Sequence, residues 1–253
     1  MRIKRIIPCL LLRNNGLVKT VKFKDSIYIG DPINALKIFN EKEVDELIFL
    51  DIDATKNKKE PSFELIQNIA TECFMPFAYG GGIQSLNQIE KIIKSGAEKI
   101  VINTQAFLQK SFIREAVDHF GSSTIVVSID VKKGFLERNT VYIKGGTQNT
   151  GKNPVEYARE MENMGIGEVM INSIDRDGVM EGYDIELIKD ISDAIKIPVI
   201  ACGGAGNLSD FKEAINQGGA SAVAAGSFFV FHGKRRAVLI TYPSYTEISN
   251  LFD

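Results

Sequence analysis

The sequence has few of the residues that would build a metal site or a disulfide framework. It contains two histidines, His119 and His232, and three cysteines, Cys9, Cys73 and Cys202. Neither histidine has a second metal ligand nearby, and the cysteines are odd in number and show no metal-type spacing. We therefore expect no metal, no bound cofactor and three reduced thiols.

Charge and hydropathy exclude two further classes of protein. The 30 Lys and Arg residues nearly balance the 32 Asp and Glu residues, and a net charge of −2 gives no general attraction to nucleic acid. No apolar run is long enough to span a bilayer. The amino-terminal stretch is basic and then apolar, but Pro8 interrupts it and no small-residue cleavage site follows, so we interpret it as a strand. We expect a soluble, cytoplasmic protein.

The strongest pattern in the chain is an internal repeat at a shift of 122 residues. Identical residues coincide at this shift for Glu46, Asp53, Pro76, Gly81, Gly82 and Leu86. Each copy has an apolar β-branched run, a Gly-Gly turn and a helical period, which is the pattern of successive βα units. The two halves, at about residues 1–120 and 121–253, predict a (βα)8 TIM barrel that forms a single domain over residues 1–253.

Apolar runs without central charge predict the eight strands, because strands of a parallel barrel are buried on both faces. These runs are residues 5–11, 47–52, 76–79, 99–103, 124–130, 168–173, 198–202 and 221–225. Helical periods are at about 32–44, 62–73, 86–95, 110–119, 154–164, 184–195 and 208–217.

Three connections and the tail fall outside this pattern. Residues 12–31, 53–61 and 131–152 are longer than a simple connection needs, and long loops on the carboxyl side of barrel strands are typical of lids and substrate contacts. The segment from Val230 onward fits no extra βα unit and is left unassigned.

Two glycine turns are candidate phosphate sites. Residues 80–82 follow strand three and residues 203–204 follow strand seven, each before a helix amino terminus, where free amides and the helix dipole favour an anion. A neighbouring turn follows strand four and another follows strand eight. We predict two pockets that together bind a bisphosphate ligand, built from Gly82, Asn103, Thr104, Gly204, Gly226 and Ser227. The plain alternative is that the glycines only permit tight turns.

Aspartates at the carboxyl ends of strands are candidates for acid or base chemistry. Asp130 ends strand five, Asp51 lies near the end of strand two, and Asp177 precedes Gly178 after strand six. A carboxylate there projects into the barrel mouth, where partial desolvation raises its pKa. We favour Asp130 as the acid or base and assign Asp51, Asp177 and Gly178 to ligand binding. A helix cap or a loop hydrogen bond is the alternative for each aspartate.

Four charged residues stand at or just before strand starts, at the opposite end of the barrel. They are Arg5, Glu46, Lys99 and Glu168. Charges at the bottom of the interior are costly unless they are paired, so we expect a closed ring of two cations and two anions. Such a ring is either a gate or a device for stability alone.

Taken together, these residues resemble the cyclase subunit of imidazole glycerol phosphate synthase, a family of histidine biosynthesis. The likeness runs between residues 4 and 229 through KRIIPCL, GDP, DELIFLDI, YGGGI, KIVIN, VVSID, GGTQNTG, SIDRDG, IPVIACGGAGN and AAGSFF. It implies a barrel that accepts ammonia from a glutaminase subunit docked on its amino-terminal face. The ammonia then splits and cyclises a bisphosphorylated ribulosyl carboxamide at the mouth.

The resemblance also assigns roles to single residues. It implies that the four-charge ring is the ammonia gate, that the two pockets bind phosphates, that Lys19 in the first loop grips the ligand, and that Asp130 is a catalytic carboxylate. The chain departs from the family pattern at Leu11, where the family has a second catalytic aspartate. Leu11 also occupies the slot that Asp130 fills in the other half. Loss of such a group costs on the order of 10²–10⁴ in rate.

Two roles follow from this departure. The first is an enzyme that makes imidazole glycerol phosphate and aminoimidazole carboxamide ribotide. The second is a conduit, because the tail with FLDIDAT and AYGGGI resembles a branch found with surface-polysaccharide genes, which is thought to pass ammonia toward amidation of an acetamido sugar by a separate amidotransferase. A sugar-phosphate isomerase of the same architecture is a third candidate. The charged ring argues against it, since an isomerase needs no ammonia entrance.

Overall fold

In this computed structural model, eight parallel strands close into a barrel. The structure describes residues 4–134, 138–233 and 235–252. The barrel strands are β1 (Arg5–Arg13), β2 (Leu47–Asp51), β3 (Phe77–Gly80), β4 (Lys99–Ile102), β5 (Ile125–Lys133), β6 (Glu168–Ser173), β7 (Val199–Cys202) and β8 (Ala222–Ala225). Each strand pairs in parallel with the next, and β8 pairs with β1, which closes the sheet. The predicted (βα)8 TIM barrel is confirmed.

A helix follows each barrel strand. The helices are α1 (Pro32–Glu41), α2 (Phe63–Glu72), α3 (Leu86–Lys94), α4 (Lys110–Phe120), α5 (Pro154–Asn163), α6 (Ile185–Ser192), α7 (Leu208–Asn216) and α8 (Tyr245–Phe252). Shorter helices lie at Thr104–Leu108, Ser227–Val230 and, as a 3₁₀ turn, Ser122–Thr124. The first seven lie within a few residues of the predicted helical periods. Among the described residues no helix is long and apolar enough to cross a membrane.

Side chains at the first turns explain where many of the helices begin. Each of these caps accepts a backbone N–H of the first turn, which would otherwise have no partner inside the helix. The caps are Asp31, Ser85, Asn153, Asp184 and Asn207. In α1 and α5 a proline follows the cap, where its missing N–H costs nothing.

Apolar side chains fill two separate layers of the barrel. Alternate residues of a strand point to opposite faces, so half of each strand faces the interior and half faces the helices. A large outer cluster joins the sheet to the helices and includes Phe39, Phe49 and Phe211. A smaller inner cluster fills the middle of the barrel with Ile7, Cys9, Ile48, Ala78, Val101, Val126, Met170, Ile200, Cys202, Ala222 and Ala224. The interior is therefore apolar and packed with mostly small side chains.

Two of the long connections contain strands that the sequence pattern did not predict. Strand β1 continues to Arg13 and pairs antiparallel with Gly16–Val21, which in turn pairs with Lys24–Gly30. Strand β5 continues to Lys133 and pairs with Asn139–Ile143. The first hairpin turns at residues 14 and 15, two asparagines with φ of 48° and 62°. Asparagine tolerates this conformation, which the tightest hairpin turns require.

The unassigned segment from Val230 onward completes the eighth βα unit. Phe231–His232 and Ala237–Val238 form a small antiparallel hairpin. The chain then descends to α8, which packs beside α7 and places Ile248 and Leu251 against the outer core. The hairpin separates β8 from its helix, so the βα spacing of the other units does not recur here.

Tyr242 fastens this tail to the barrel, and we expect its removal to destabilise the fold. It is 7% exposed, its hydroxyl donates to the Ile6 carbonyl at 2.9 Å, and its ring stacks on Phe229 with centroids 5.4 Å apart. Tyr242→Ala should lower the free energy of unfolding by about 3–5 kcal/mol, measured by denaturant titration with circular dichroism. The control Tyr245→Ala, at a residue that is 81% exposed, should change it by less than about 0.5 kcal/mol. Equal losses in both variants would contradict this account.

Candidate active site

A cavity of about 470 Å³ opens at the carboxyl ends of the barrel strands. The predicted mouth residues Lys19, Asp51, Gly82, Asn103, Thr104, Asp130, Asp177, Gly204, Gly226 and Ser227 all line it. Gly178 lies behind the wall, where a side chain would collide with the carbonyl of Thr20. Across the described part of the chain, no three His, Cys, Asp or Glu side chains lie close enough together to hold a metal ion.

Asp130 is a buried carboxyl within β5, three residues before this strand ends at Lys133. It is 7% exposed, and the hydroxyl of Ser128 lies 3.4 Å from its Oδ1. Burial raises the pKa of Asp130 to about 7, with the Ser128 hydrogen bond acting against this rise and the charge of Asp177 adding to it. A carboxyl that titrates near neutral pH both accepts and donates a proton under the conditions of most metabolic reactions.

Lys19 lies buried on the first hairpin, and its side chain points into the mouth between β1 and the turn after β8. Its ammonium donates to the Cys9 carbonyl at 2.7 Å. Burial lowers the pKa of Lys19, and the nearby Cys9 and Asp177 act in the opposite direction. Any side chain at Gly226 would overlap the Lys19 ammonium, so the glycine allows this cation to lie beside the turn after β8. The charge thus stands next to the predicted pocket at Gly226 and Ser227.

The first hairpin is fastened to the loop after β6. The hydroxyl of Thr20 donates to Asp177 Oδ2 at 3.0 Å, and the N–H of Lys22 donates to the Asp177 carbonyl at 2.8 Å. Burial raises the pKa of Asp177, while Lys19 and Thr20 lower it. Asp177 therefore holds the hairpin over the cavity as well as lining it.

Asp51 has a structural task at the end of β2. Its Oδ1 accepts the N–H groups of Asp53 at 3.0 Å and Ala54 at 2.9 Å. Burial raises the pKa of Asp51, and these two backbone hydrogen bonds lower it. The loop hydrogen bond named as the alternative for Asp51 is thus present, and any ligand contact would use its other oxygen.

The pocket beside β3 and β4 is held together by its own side chains. Asn103 donates to the Ser128 carbonyl at 2.9 Å, and the Thr104 hydroxyl donates to Asn103 Oδ1 at 3.1 Å. Thr104 also accepts the N–H of Lys144 at 3.0 Å, which positions the long loop after β5. A side chain at Gly82 would approach the Lys59 carbonyl to 2.7 Å. This glycine is therefore required by the packing of the loops whether or not a phosphate binds.

The rim of the cavity carries cations that the sequence analysis did not identify. Arg13 pairs with Asp53 at 2.8 Å, and Lys144 lines the cavity next to Thr104. Lys56, in the loop after β2, lies against the turn that follows Asn139–Ile143, where a side chain at Gly145 would approach its Cε to 2.8 Å. Basic residues in long loops follow no periodic pattern, so no signal in the sequence identifies them.

At the opposite end the structure brings the four predicted charged residues into a closed ring. Arg5 contacts Glu46 and Glu168 at 2.7 Å each, and Lys99 contacts the same two carboxylates at 3.0 Å and 3.3 Å. Burial acts to lower the pKa of Arg5, but the two glutamates outweigh burial and raise it. Each charge in the ring has two partners of opposite sign, which compensates for their partial burial.

Strand register relates the two halves at the mouth. Leu11 pairs with Leu50 between β1 and β2, and Asp130 pairs with Asn172 between β5 and β6. Residue 50 falls on residue 172 at the repeat shift of 122. Leu11 therefore stands where the second half has Asp130. One half carries an apolar pair, and the other carries a carboxyl and an amide.

Comparisons with known proteins agree with this geometry. The family described as histidine biosynthesis protein matches residues 5–235. A Pseudomonas aeruginosa protein provisionally named imidazole glycerol phosphate synthase subunit hisF2 is 54% identical over 245 residues, which cover 97% of this chain and 98% of that protein. The provisionally named subunit HisF of Leptospira borgpetersenii is 50% identical over 249 residues, 98% of each chain. The subunit hisF3 of Vibrio vulnificus, also named provisionally, is 45% identical over 244 residues, 96% of this chain and 94% of its own.

The raised pKa of Asp130 makes stability depend on pH. The pKa of about 7 in the folded state exceeds the ordinary value of 3.8. The protonated carboxyl therefore contributes fully to the free energy of unfolding below about pH 4, and this contribution is lost as the pH rises through 7. Asp130→Asn keeps the group neutral, so the variant and the parent should be equally stable near pH 4. At pH 8 the variant should be more stable by up to about 4 kcal/mol in denaturant titrations.

The matched control is Asp118→Asn on the exposed face of α4. Its free energy of unfolding should stay within about 0.5 kcal/mol of the parent at both pH values. A difference between Asp130→Asn and the parent that is the same at pH 4 and pH 8 would show that folding does not raise the pKa of Asp130.

Proposed function

Because the chain belongs to the histidine biosynthesis protein family, we propose that it is a synthase-type subunit that accepts ammonia from a glutaminase and uses it at the barrel mouth. The product pair would be imidazole glycerol phosphate and aminoimidazole carboxamide ribotide, formed from a bisphosphorylated ribulosyl carboxamide. The ammonia enters at the four-charge ring, passes the apolar interior and meets the ligand beside Asp130.

One arrangement carries this proposal. The barrel has a closed ring of paired charges at one end and an uncompensated, buried carboxyl at the other, with a cavity of about 470 Å³ above that carboxyl. Between them lies an interior built from apolar side chains. Such an interior strongly disfavours an ion and accepts a small neutral molecule, because desolvation penalises charge far more than a neutral polar group. Neutral ammonia suits this route and ammonium does not.

The mouth suits an anionic ligand and a reaction step in which a proton is transferred. Lys19 and the amides of the turns at Gly82 and Gly204 favour phosphate groups at two separated positions of the rim. Asp130 would exchange a proton with the ligand, since its pKa is close to neutral. Leu11 offers no group that exchanges a proton at the position where the second half has Asp130, so we expect slow cyclisation.

The same leucine favours a second candidate function. With an apolar pair at Leu11 and Leu50, the first half has no carboxyl at the position that Asp130 occupies in the second half, while the ring at the bottom is complete. A chain of this kind would serve as an ammonia conduit, acting with a glutaminase and with a separate amidotransferase that amidates an acetamido sugar. The two functions differ in whether ammonia is consumed within the mouth.

Turnover with ammonium salt at high pH separates these functions, because no glutaminase is needed. We expect the purified chain to convert the ribulosyl substrate slowly and Leu11→Asp to accelerate this conversion by on the order of 10² or more, as measured by product formation. Leu11→Asn is the control, since it is polar and similar in size to aspartate but carries no acid. Binding of the substrate without any turnover would favour the conduit. Equal rates for Leu11→Asp and Leu11→Asn would contradict the role given to the missing carboxylate.

Phe74 is the residue that we expect to anchor the glutaminase. It is 85% exposed and lies between α2 and β3, at the end of the barrel where the ring opens. Its backbone N–H donates to Asn40 Oδ1 at 3.3 Å, which orients the loop. A large exposed aromatic residue is typical of an interface anchor, and truncation of an anchor costs about 2 kcal/mol or more of binding.

Phe74→Ser should therefore weaken the complex with the glutaminase about 30-fold by calorimetry and leave ammonium-dependent turnover unchanged. Tyr28→Ser is the control, because Tyr28 is 66% exposed on the first hairpin at the mouth end. The complex should tolerate this change. Equal affinities of Phe74→Ser and the parent chain would show that the partner does not use this loop.

A further inference from the structure

The side-chain oxygen of Asn172 has no hydrogen-bond partner among the residues that the structure describes. Asn172 is 6% exposed and lies near the end of β6, where it lines the cavity. Within the described residues its Oδ1 is fully buried and has no hydrogen-bond donor. A buried acceptor without a donor is destabilising, and such groups are rare in native proteins, so this one calls for an explanation.

The position of Asn172 places it beside the titrating carboxyl. In the strand register Asn172 is the partner of Asp130 on β5 and of Cys202 on β7. Register partners in parallel strands project to the same side of the sheet, which here is the barrel interior. A side chain at Gly203 would approach Asn172 Oδ1 to 2.6 Å, so the turn after β7 confines the amide on that side.

The fold itself does not require an amide here. The equivalent residue of the first half is Leu50, which occupies the same place in β2 and packs against the inner apolar cluster. The equivalent position of the first half therefore accepts leucine, a side chain of nearly the same size as asparagine. What differs between the halves is the neighbour, since the amide stands beside a carboxyl and the leucine stands beside Leu11.

We propose that Asn172 binds the nitrogen that reacts in the mouth, accepting a hydrogen bond from an N–H group and holding that nitrogen beside Asp130. The inference rests on the proposed function. Such an N–H group belongs either to ammonia that arrives from the ring or to a nitrogen of the phosphate-bearing ligand. Both are donors that complement the unpaired oxygen.

The test is Asn172→Leu, which copies the side chain found in the other half. We expect its melting temperature to match or exceed that of the parent, because the variant removes an unsatisfied buried acceptor. The affinity for the molecule that donates the N–H should fall about tenfold, which is the expected effect of losing one hydrogen bond at a buried site. If the donor is ammonia, the KM for ammonium rises while the Kd for the ribulosyl substrate stays unchanged. If the donor belongs to the ligand, that Kd rises while the KM for ammonium stays unchanged.

Two other results would overturn the assignment. One is an Asn172→Leu chain with both constants unchanged, and the other is a melting temperature that falls by several degrees, which would mean that the amide supports the fold. Asn172→Ala supplies the same comparison if the leucine variant does not fold. Asn163→Leu, at an exposed residue on α5, is the control and should change neither constant. A parent chain that neither binds the substrate nor uses ammonium would instead overturn the proposed function.

Discussion

Closure of the parallel sheet is the constraint on which the rest of this structure depends. Once β8 pairs with β1, every second residue of each strand must point into a narrow interior. Few side chains fit there, so each one strongly affects the polarity of the interior. The interior is charged at the bottom, apolar in the middle and partly polar at the top, and this order follows the alternation along the strands.

The two ends of the interior treat charge in opposite ways. At the bottom, Arg5 and Lys99 face Glu46 and Glu168 in a closed ring, so each ionised group has partners that offset its burial. At the top, Asp130 has a weak hydrogen bond from Ser128, no cation of the described residues offsets its burial, and its pKa rises to about 7. The same low-polarity interior thus stabilises a permanent ring at one end and produces a titrating acid at the other.

The two halves of the barrel share a backbone and differ in chemistry. Equivalent strand pairs carry Leu11 with Leu50 in one half and Asp130 with Asn172 in the other. The backbone pairing is the same in both, because parallel register depends on main-chain hydrogen bonds and not on these side chains. The barrel therefore tolerates a leucine pair in one half and a carboxyl beside an amide in the other without a change of shape.

The sequence by itself determined the barrel, seven of its helices and the position of the charged ring. These follow from local periodicity, from capping residues such as Asp31 and Asn153, and from identical residues that recur at a shift of 122. Only the tertiary structure decided that Lys19 reaches Gly226, that Asp51 fastens its own loop, and that the oxygen of Asn172 has no partner among the described residues. It also decided the place of α8, since an inserted hairpin breaks the spacing. The reason is physical: periodicity records which face of an element is buried, whereas the partner of a polar atom depends on side chains that meet only when the sheet closes.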